Sequence, residues 1–347
     1  MSLTNEQIAE LLAVESDKHE GNKYKAARRA SRKAYGWPGE AAEIVAEGRS
    51  LTELPAVGPW VGRVIHGWLD DPPEVPEPSP LRTDFMSIAS ARATLAERPE
   101  YREQLRGDLQ MHTTYSDGRV SIKEMAVEAL GLGHDYIAIT DHTKGLKIAG
   151  GMSEEVLAEQ LREIDALNAE MAKGGSDFRV LKAVEMNISP DGSGDMEPEA
   201  LDELDLILGS FHSKLRITDD QTERYLGNLR NPHVHVLGHP RCRIYNFRLG
   251  LTADWGRVFE EAARLDKAVE IDSFPDRQDL NVELLHLVAE AGCRVSIGTD
   301  AHNPAEMHCI EIGCAAAARA GIAPDRVVNF MSYDDILEWT ASLKARV

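Results

Sequence analysis

The sequence is short of cysteine, of long apolar runs and of any start that suits export. Its four cysteines, Cys242, Cys293, Cys309 and Cys314, form no CxxC pair and no even framework, which argues against a disulfide scaffold or a structural Cys₄ zinc site. They read as buried or idle thiols of a reducing compartment. No uncharged apolar stretch reaches the roughly 18 residues of a membrane span, so no transmembrane helix is expected. The first residues, MSLTNEQIAELL, carry acids early and lack the basic and apolar regions of a signal peptide. A cytoplasmic location without membrane contact is expected.

Positive charge is scarce as well. Lys and Arg total 38 against 58 Asp and Glu, a formal net charge of −20. The deficit is uneven. Residues 1–69 hold nine basic and nine acidic side chains, so the rest of the chain carries the whole excess. That weighs against a nucleic-acid partner without excluding one. A length of 347 residues with 43% hydrophobic residues suits two domains, one small and one large. Residues 70–80, DDPPEVPEPSP, place five prolines and four acids in a row, the composition of an extended linker.

Before the linker the pattern is helical. Residues 4–15 set Ile8, Leu11, Leu12 and Val14 behind Thr4, a cap candidate. A basic helix follows, with Lys23, Lys25, Arg28, Arg29, Arg32 and Lys33 interleaved with Ala26, Ala27 and Ala30. Residues 51–69 then read as helix, tight turn through Gly58, and helix. After the linker, residues 84–105 read as one helix. Seven short apolar runs then alternate with amphipathic segments: 106–112, 136–142, 179–188, 204–212, 234–240, 268–274 and 294–302. This predicts a parallel α/β barrel, although alternation alone leaves a doubly wound open sheet in play.

The chemistry sits where those runs end. Six finish in metal-binding or proton-moving residues: Asp108-Leu-Gln-Met-His112, Thr140-Asp-His142, Glu185, Phe211-His212, Gly238-His239 and Thr299-Asp-Ala-His302. The seventh ends in Glu270-Ile-Asp272. In parallel α/β folds the carboxyl ends of strands converge on one mouth, so these residues should meet. Five histidines at strand ends, with Asp117, Asp141, Glu185 and Asp300 beside them, are too many coincidences for isolated structural histidines. Mixed histidine and carboxylate ligands suit Zn²⁺, Mn²⁺ or Fe²⁺. The set is too large for one ion, and two or three divalent ions sharing a carboxylate suit phosphoester hydrolysis by metal-bound hydroxide. His19, His66, His134, His286 and His308 read as surface or core residues, and His233 and His235 as packing.

These motifs, in this order, resemble the polymerase-and-histidinol-phosphatase (PHP) family: residues 108–118 its opening motif, Ile139-Thr-Asp-His142 its second, Thr299-Asp-Ala-His302 its last. The resemblance covers about residues 106–330 and implies a distorted (β/α)₇ barrel with a trinuclear site. One ion would take His112, Glu185 and Asp300. A second would share Glu185 and add His212 and His239, and a third would take Asp117, His142 and His302. Gln110, whose amide oxygen is a neutral and weaker ligand, stands where many members have histidine. Asp141, Glu185 and His212 are the catalytic candidates, Asp141 as a group that orients a histidine. Arg241 and Arg277 follow strand ends and are candidate substrate contacts.

Residues 1–69 resemble the small helical domain of family X DNA polymerases, with Leu54-Pro-Ala-Val-Gly58 as a helix-hairpin-helix turn. The resemblance implies DNA binding through Lys23, Lys25, Arg28, Arg29, Arg32 and the backbone at Gly58. The turn's usual first glycine is Ala56, and the following helix has Arg63 but no lysine, so no lyase activity is expected. The 37 residues between Leu69 and Gly107 are too few for a polymerase palm. The expected organisation is a helical domain at 1–69, linker and connecting helix at 70–105, and a phosphoesterase barrel at 106–347. The expected activity is hydrolysis at DNA 3′ ends, as a 3′–5′ exonuclease or 3′-phosphatase. A small-molecule phosphatase, with histidinol phosphate as the example, is the rival, and a non-catalytic DNA-end binding module is a third reading.

Overall fold

The computed structural model describes residues 2–344. Four helices open the chain: α1 Asn5–Asp17, α2 Gly21–Ala34, α3 Ala41–Ala46 and α4 Pro59–Asp70. Thr4 and Gln7 form a reciprocal capping box at α1. Gly58 caps α4, with Pro59 in the first turn, where its missing N–H costs nothing. Ala56 takes the left-handed backbone (φ 66°) that favours glycine, so the turn keeps its shape at some strain. These helices close a core of their own around Ile8, Leu12, Trp37 and Ile65. Tyr245, from the distant half of the chain, is buried in that core against Tyr35 and Phe85.

The segment expected as one helix over 84–105 is two, α5 Ile88–Glu97 and α6 Glu100–Glu103. Pro99 breaks it, because proline has no N–H to give and restricts the residue before it. Phe85 faces the helical core, while Ile88, Ala91, Leu95 and Tyr101 pack with the barrel helices.

The barrel then alternates β1 Gly107–Asp108, α7 Ile122–Gly131, β2 Tyr136–Ile139, α8 Glu154–Lys173, β3 Arg179–Asn187, α9 Pro198–Leu201 and β4 Leu206–Ser210. It continues through α10 Thr222–Arg230, β5 Val236–Leu237, α11 Trp255–Arg264, β6 Ala268–Asp272, α12 Val282–Ala291, β7 Arg294–Gly298, α13 Ile310–Ala320 and α14 Tyr333–Lys344. All seven strands are parallel and lie in sequence order. That order rules out the doubly wound sheet, whose strand order reverses. The last edge meets the first: Leu109 N donates to Ile297 O (3.2 Å) and His112 N to Ala301 O (2.8 Å).

Alternation along the strands decides what faces inward. Leu181 and Ala183 of β3 join Leu206 and Leu208 of β4 and Ala268 of β6 in the barrel floor, which α14 plugs with Ile336, Trp339 and Leu343. The same parity carries Glu185, Ser210 and Glu270 inward at the upper end. The opposite parity, Val184, Ile207, Val269 and Ile271, packs under the outer helices. All four cysteines are buried and unpaired. Among the described residues no helix is long and apolar enough to cross a membrane.

His235, read as packing, is fully buried, and its Nδ1 accepts the Ile207 N–H at 3.1 Å. Burial pushes its pKa down to about 3. Its folded value lies below the unfolded one, so its stabilising contribution is complete above about pH 6.5 and drains away as pH falls toward 3, at up to ~1.4 kcal/mol per pH unit. His235→Asn should flatten the fall in melting temperature between neutral pH and pH 4.5. An unchanged acid slope would contradict the assignment.

Candidate metal centre

Glu185 is the hub. It is buried at the end of β3, and four imidazoles surround its two oxygens. His239 Nε2 lies 2.6 Å and His212 Nε2 3.0 Å from Oε1, while His142 Nδ1 lies 3.2 Å and His112 Nε2 3.4 Å from Oε2. Asp300, after β7, sits 3.0 Å from His112 Nε2. Asp117 lies 3.2 Å from His302 Nε2 and 3.6 Å from His142 Nε2. Eight of the nine expected ligands therefore meet in one cluster, and Gln110 borders it.

Three subsets have donor atoms close enough to share an ion: His112 with Glu185 and Asp300; His142 with Glu185 and His212; and Asp117 with His112, His142 and His302. His239 falls outside these subsets but touches the same Glu185 oxygen as His212. The donor set fits divalent ions on a further ground. Both ring nitrogens of His112 and the Nδ1 of His142 are buried and lie 3.0–4.0 Å from carboxylate oxygens without an aligned hydrogen bond. Such groups are costly unless something takes their lone pairs.

Burial pushes the His142 pKa down to about 4, leaving a neutral imidazole. Burial would also lower His302, but its bond to Asp117 and the Asp300 charge raise it to about 9. Burial works against ionised Glu185, yet the imidazoles packed around it, His142, His239 and His212, hold it well below the usual carboxylate range. Burial likewise opposes ionised Asp300, and Arg277 and His112 overcome it, so that pKa is lowered as well.

Neighbours fix the ring orientations. His212 Nδ1 pairs with Asn187 Oδ1 (3.2 Å) and His302 Nδ1 with the Asp300 carbonyl (2.7 Å), leaving each Nε2 directed at a carboxylate. Asn187 was absent from the sequence expectations, although it lies two residues beyond Glu185 on the same strand face. Glu270 and Asp272 were likewise unassigned. Both are buried at the end of β6, and burial pushes both carboxyl groups well above their ordinary range. Glu270 Oε2 accepts the His239 N–H (2.6 Å), and the Gln110 amide lies between Glu270 and Glu185.

Two assignments change. Asp141 does not orient a histidine. Its oxygens accept from Thr113 N (2.8 Å), Thr113 Oγ1 (2.6 Å), Ser116 Oγ (2.5 Å) and Gln160 Nε2 (2.7 Å), so it anchors the turn that carries Asp117. The reason is parity, since His142 points inward and its neighbour points away. Arg241 does not present its guanidinium to the cluster. Nη1 and Nη2 donate to Asn281 Oδ1 (3.2 Å) and the Leu249 carbonyl (2.9 Å), holding its own loop. Arg277 does reach the rim, with Nη2 3.6 Å from Asp300 Oδ2.

Gly118 makes the Asp117 turn possible. A Cβ there would overlap the His112 carbonyl and come within 2.5 Å of Thr113 N, backbone that cannot give way. Gly118→Ala should cost about 1–3 kcal/mol in stability and reduce metal content and hydrolysis together. Wild-type metal content by elemental analysis would contradict this.

The residues expected to bind DNA divide. Lys25, Arg28, Arg29 and Arg32 are exposed on α2. Arg32 is also ion-paired with Asp276, in the loop after β6, and Arg28 Nη2 donates to the Asn246 carbonyl (3.4 Å), in the loop after β5. Lys23 lies over the Trp60 ring (5.5 Å). Arg28 and Arg32 therefore help dock the helical domain, which a reading of one segment could not reveal.

Comparison with known proteins agrees with this geometry. Residues 108–274 match the PHP domain family. The chain is 39% identical over 234 residues to the DNA polymerase/3′-5′ exonuclease PolX of Bacillus subtilis, a match covering 67% of this chain but only 40% of that one. It is 29% identical over 241 residues to a probable phosphatase of a Thermoanaerobacter species, covering 64% of this chain and 89% of the relative. Among solved structures, histidinol phosphate phosphatase of Lactococcus lactis aligns with a TM-score of 0.42 at 16% identity, covering 70% of this chain and 93% of that one. Residues 108–274 of the barrel are a PHP domain, and through it the chain is similar to relatives named as an exonuclease and as probable phosphatases, metal-dependent phosphoester hydrolases of the PHP type.

Proposed function

We propose that the chain hydrolyses phosphoesters at DNA 3′ ends, as a 3′–5′ exonuclease or 3′-phosphatase using two or three divalent ions, Zn²⁺, Mn²⁺ or Fe²⁺. The observation that carries this reading is where the helical domain sits. It docks on the loops after β5 and β6, two of the strands that end at the cluster, through Ser31–Tyr245 (2.9 Å), Arg32–Asp276 and Arg28–Asn246 (3.4 Å). Pro55 of the 54–58 turn shares a cavity of about 140 Å³ with Phe274, Pro275 and Glu306, beside the cluster's own loops. A module with a basic helix and an N–H-bearing turn has no evident use beside the site of a small-molecule phosphatase. The exonuclease named among the relatives supports the same reading.

The three ion positions would be held by His112, Glu185 and Asp300, by Glu185, His212 and His239, and by Asp117, His142 and His302. Bound there, divalent ions supply Lewis-acid charge to phosphoryl oxygens and acidify water. The chain's own part is positioning. Glu185 ties the strand ends of β2, β3, β4 and β5 to one point, and Asn187 holds His212 with Nε2 facing it. Burial weakens the charge on Arg277, but Asp300 and Asp272 more than restore it, so a fixed cation stands at the rim for a phosphate oxygen.

A small-molecule phosphatase is the second reading. The match to a phosphatase over 89% of its length and the net charge of −20 favour it. Parallel incubation of the metal-loaded chain with end-labelled DNA and histidinol phosphate separates the two. Stepwise shortening or 3′-dephosphorylation, weakening steeply with salt as phosphate contacts are screened, is expected. Rapid phosphate release from histidinol phosphate with intact DNA would overturn the DNA reading.

A further inference from the structure

We propose that the hairpin at 244–248, on the rim of the barrel, is a stacking platform for the unpaired bases of a single-stranded DNA 3′ end, with Phe247 as the ring on which a base lies. This rests on the DNA reading above and adds the form of the substrate and the surface that holds it.

Phe247 is 52% exposed, and Leu249, two residues on, equally so. The exposure is built in and does not come from a loose loop. Ile244 and Arg248 exchange both backbone hydrogen bonds at 2.9 Å, and Asn246 takes the left-handed turn position (φ 51°) that asparagine tolerates. The linker and α2 clamp the turn from outside. Asn246 N donates to the Leu81 carbonyl (2.8 Å), Arg82 Nη1 to Asn246 Oδ1 (3.2 Å) and Arg28 Nη2 to the Asn246 carbonyl (3.4 Å). An apolar ring is thus held in water by a rigid frame made from both halves of the molecule.

Cations surround that ring. The Arg216 guanidinium lies over it at 4.8 Å from the centroid. Arg28 and Arg32 line a cavity of about 220 Å³ together with residues 244–247. In a chain with a net charge of −20, Arg216 and Arg28 keep positive charge beside one exposed aromatic, while Asp276 offsets the charge of Arg32. A π face for a base and guanidinium groups for the adjoining phosphates are what a single strand requires, and a paired, stacked base could not use the ring.

The platform is also wired to the metal centre. The hairpin begins five residues after His239, and Arg216 lies four residues after His212. Both partners of the stack therefore stand on loops that leave cluster-bearing strands, so a strand held on Phe247 has its end near the mouth.

The test uses the full metal-loaded chain with Phe247→Ala and Phe247→Trp. Each is assayed on a single-stranded oligonucleotide and on p-nitrophenyl phosphate, and kcat/KM on the first is divided by that on the second. The ratio should fall about tenfold in Phe247→Ala, through KM, and recover in Phe247→Trp, whose indole emission should be quenched as oligonucleotide is added. A wild-type ratio in Phe247→Ala, with wild-type protein degrading DNA, would overturn the platform and leave the DNA reading standing. Failure of the wild-type chain to attack any oligonucleotide would overturn the DNA reading and the platform with it.

Discussion

Glu185→Gln should abolish hydrolysis, lowering kcat/KM on any phosphoester by roughly 10³-fold or more, while circular dichroism stays that of the folded barrel. The substitution keeps the shape of the side chain and removes its charge. That charge is what His112, His142, His212 and His239 converge on, with Glu185 only 1% exposed. An amide offers a neutral oxygen on one side and turns a donor toward imidazoles on the other, so the shared position cannot hold its ions. Elemental analysis should find fewer ions per chain. A variant with wild-type metal content but no turnover would show that Glu185 acts on substrate and is not a shared ligand. A variant with near wild-type turnover would remove the hub from the account altogether.

Trp37→Ala should reduce hydrolysis of DNA at least about tenfold while hydrolysis of a small monoester persists. Trp37 is fully buried in the helical core, and its Nε1 donates to the Pro55 carbonyl at 3.0 Å, fixing the 54–58 turn. Losing a buried indole costs about 3–5 kcal/mol, enough to loosen a domain this small. This is a cleaner experiment than deleting residues 1–80. Deletion would strip Tyr245 of its burial partners Tyr35 and Ser31 and disturb the loop after β5 directly. The check is a pair of rates on the two substrates, with a two-stage thermal melt to show that the barrel remains folded. Equal loss on both substrates would mean that the helical domain supports the barrel without selecting substrate.

Much of the site was legible because strand ends in a parallel barrel share one mouth. His112, His142, Glu185, His212, His239, Asp300 and His302 could be assigned from that rule, and they meet within one cluster. Side-chain parity would have carried the reading further. It places Glu270 on the inward face with Glu185, and it turns Asp141 away from His142 toward Thr113, Ser116 and Gln160. The break at Pro99 was equally open to a closer reading of backbone chemistry. The docking of the two halves was not legible. Arg32 reads as a solvated cation until the fold brings Asp276, 244 residues away, against it, and Arg241 reads as a substrate contact until Asn281 and Leu249 claim it. Pairings of that separation are set by topology and leave no local pattern.

The central claim is that this strand-end cluster hydrolyses phosphoesters only with divalent ions in place. The most direct measurement strips the chain with chelator and follows release of product from an end-labelled single strand as Mn²⁺ is titrated back, with His142→Ala/Glu185→Ala as the control. No turnover in the stripped chain, recovery as more than one ion binds per chain, and silence in the double variant are the predicted results. Full turnover after chelation, or equal turnover in the double variant, would contradict the account.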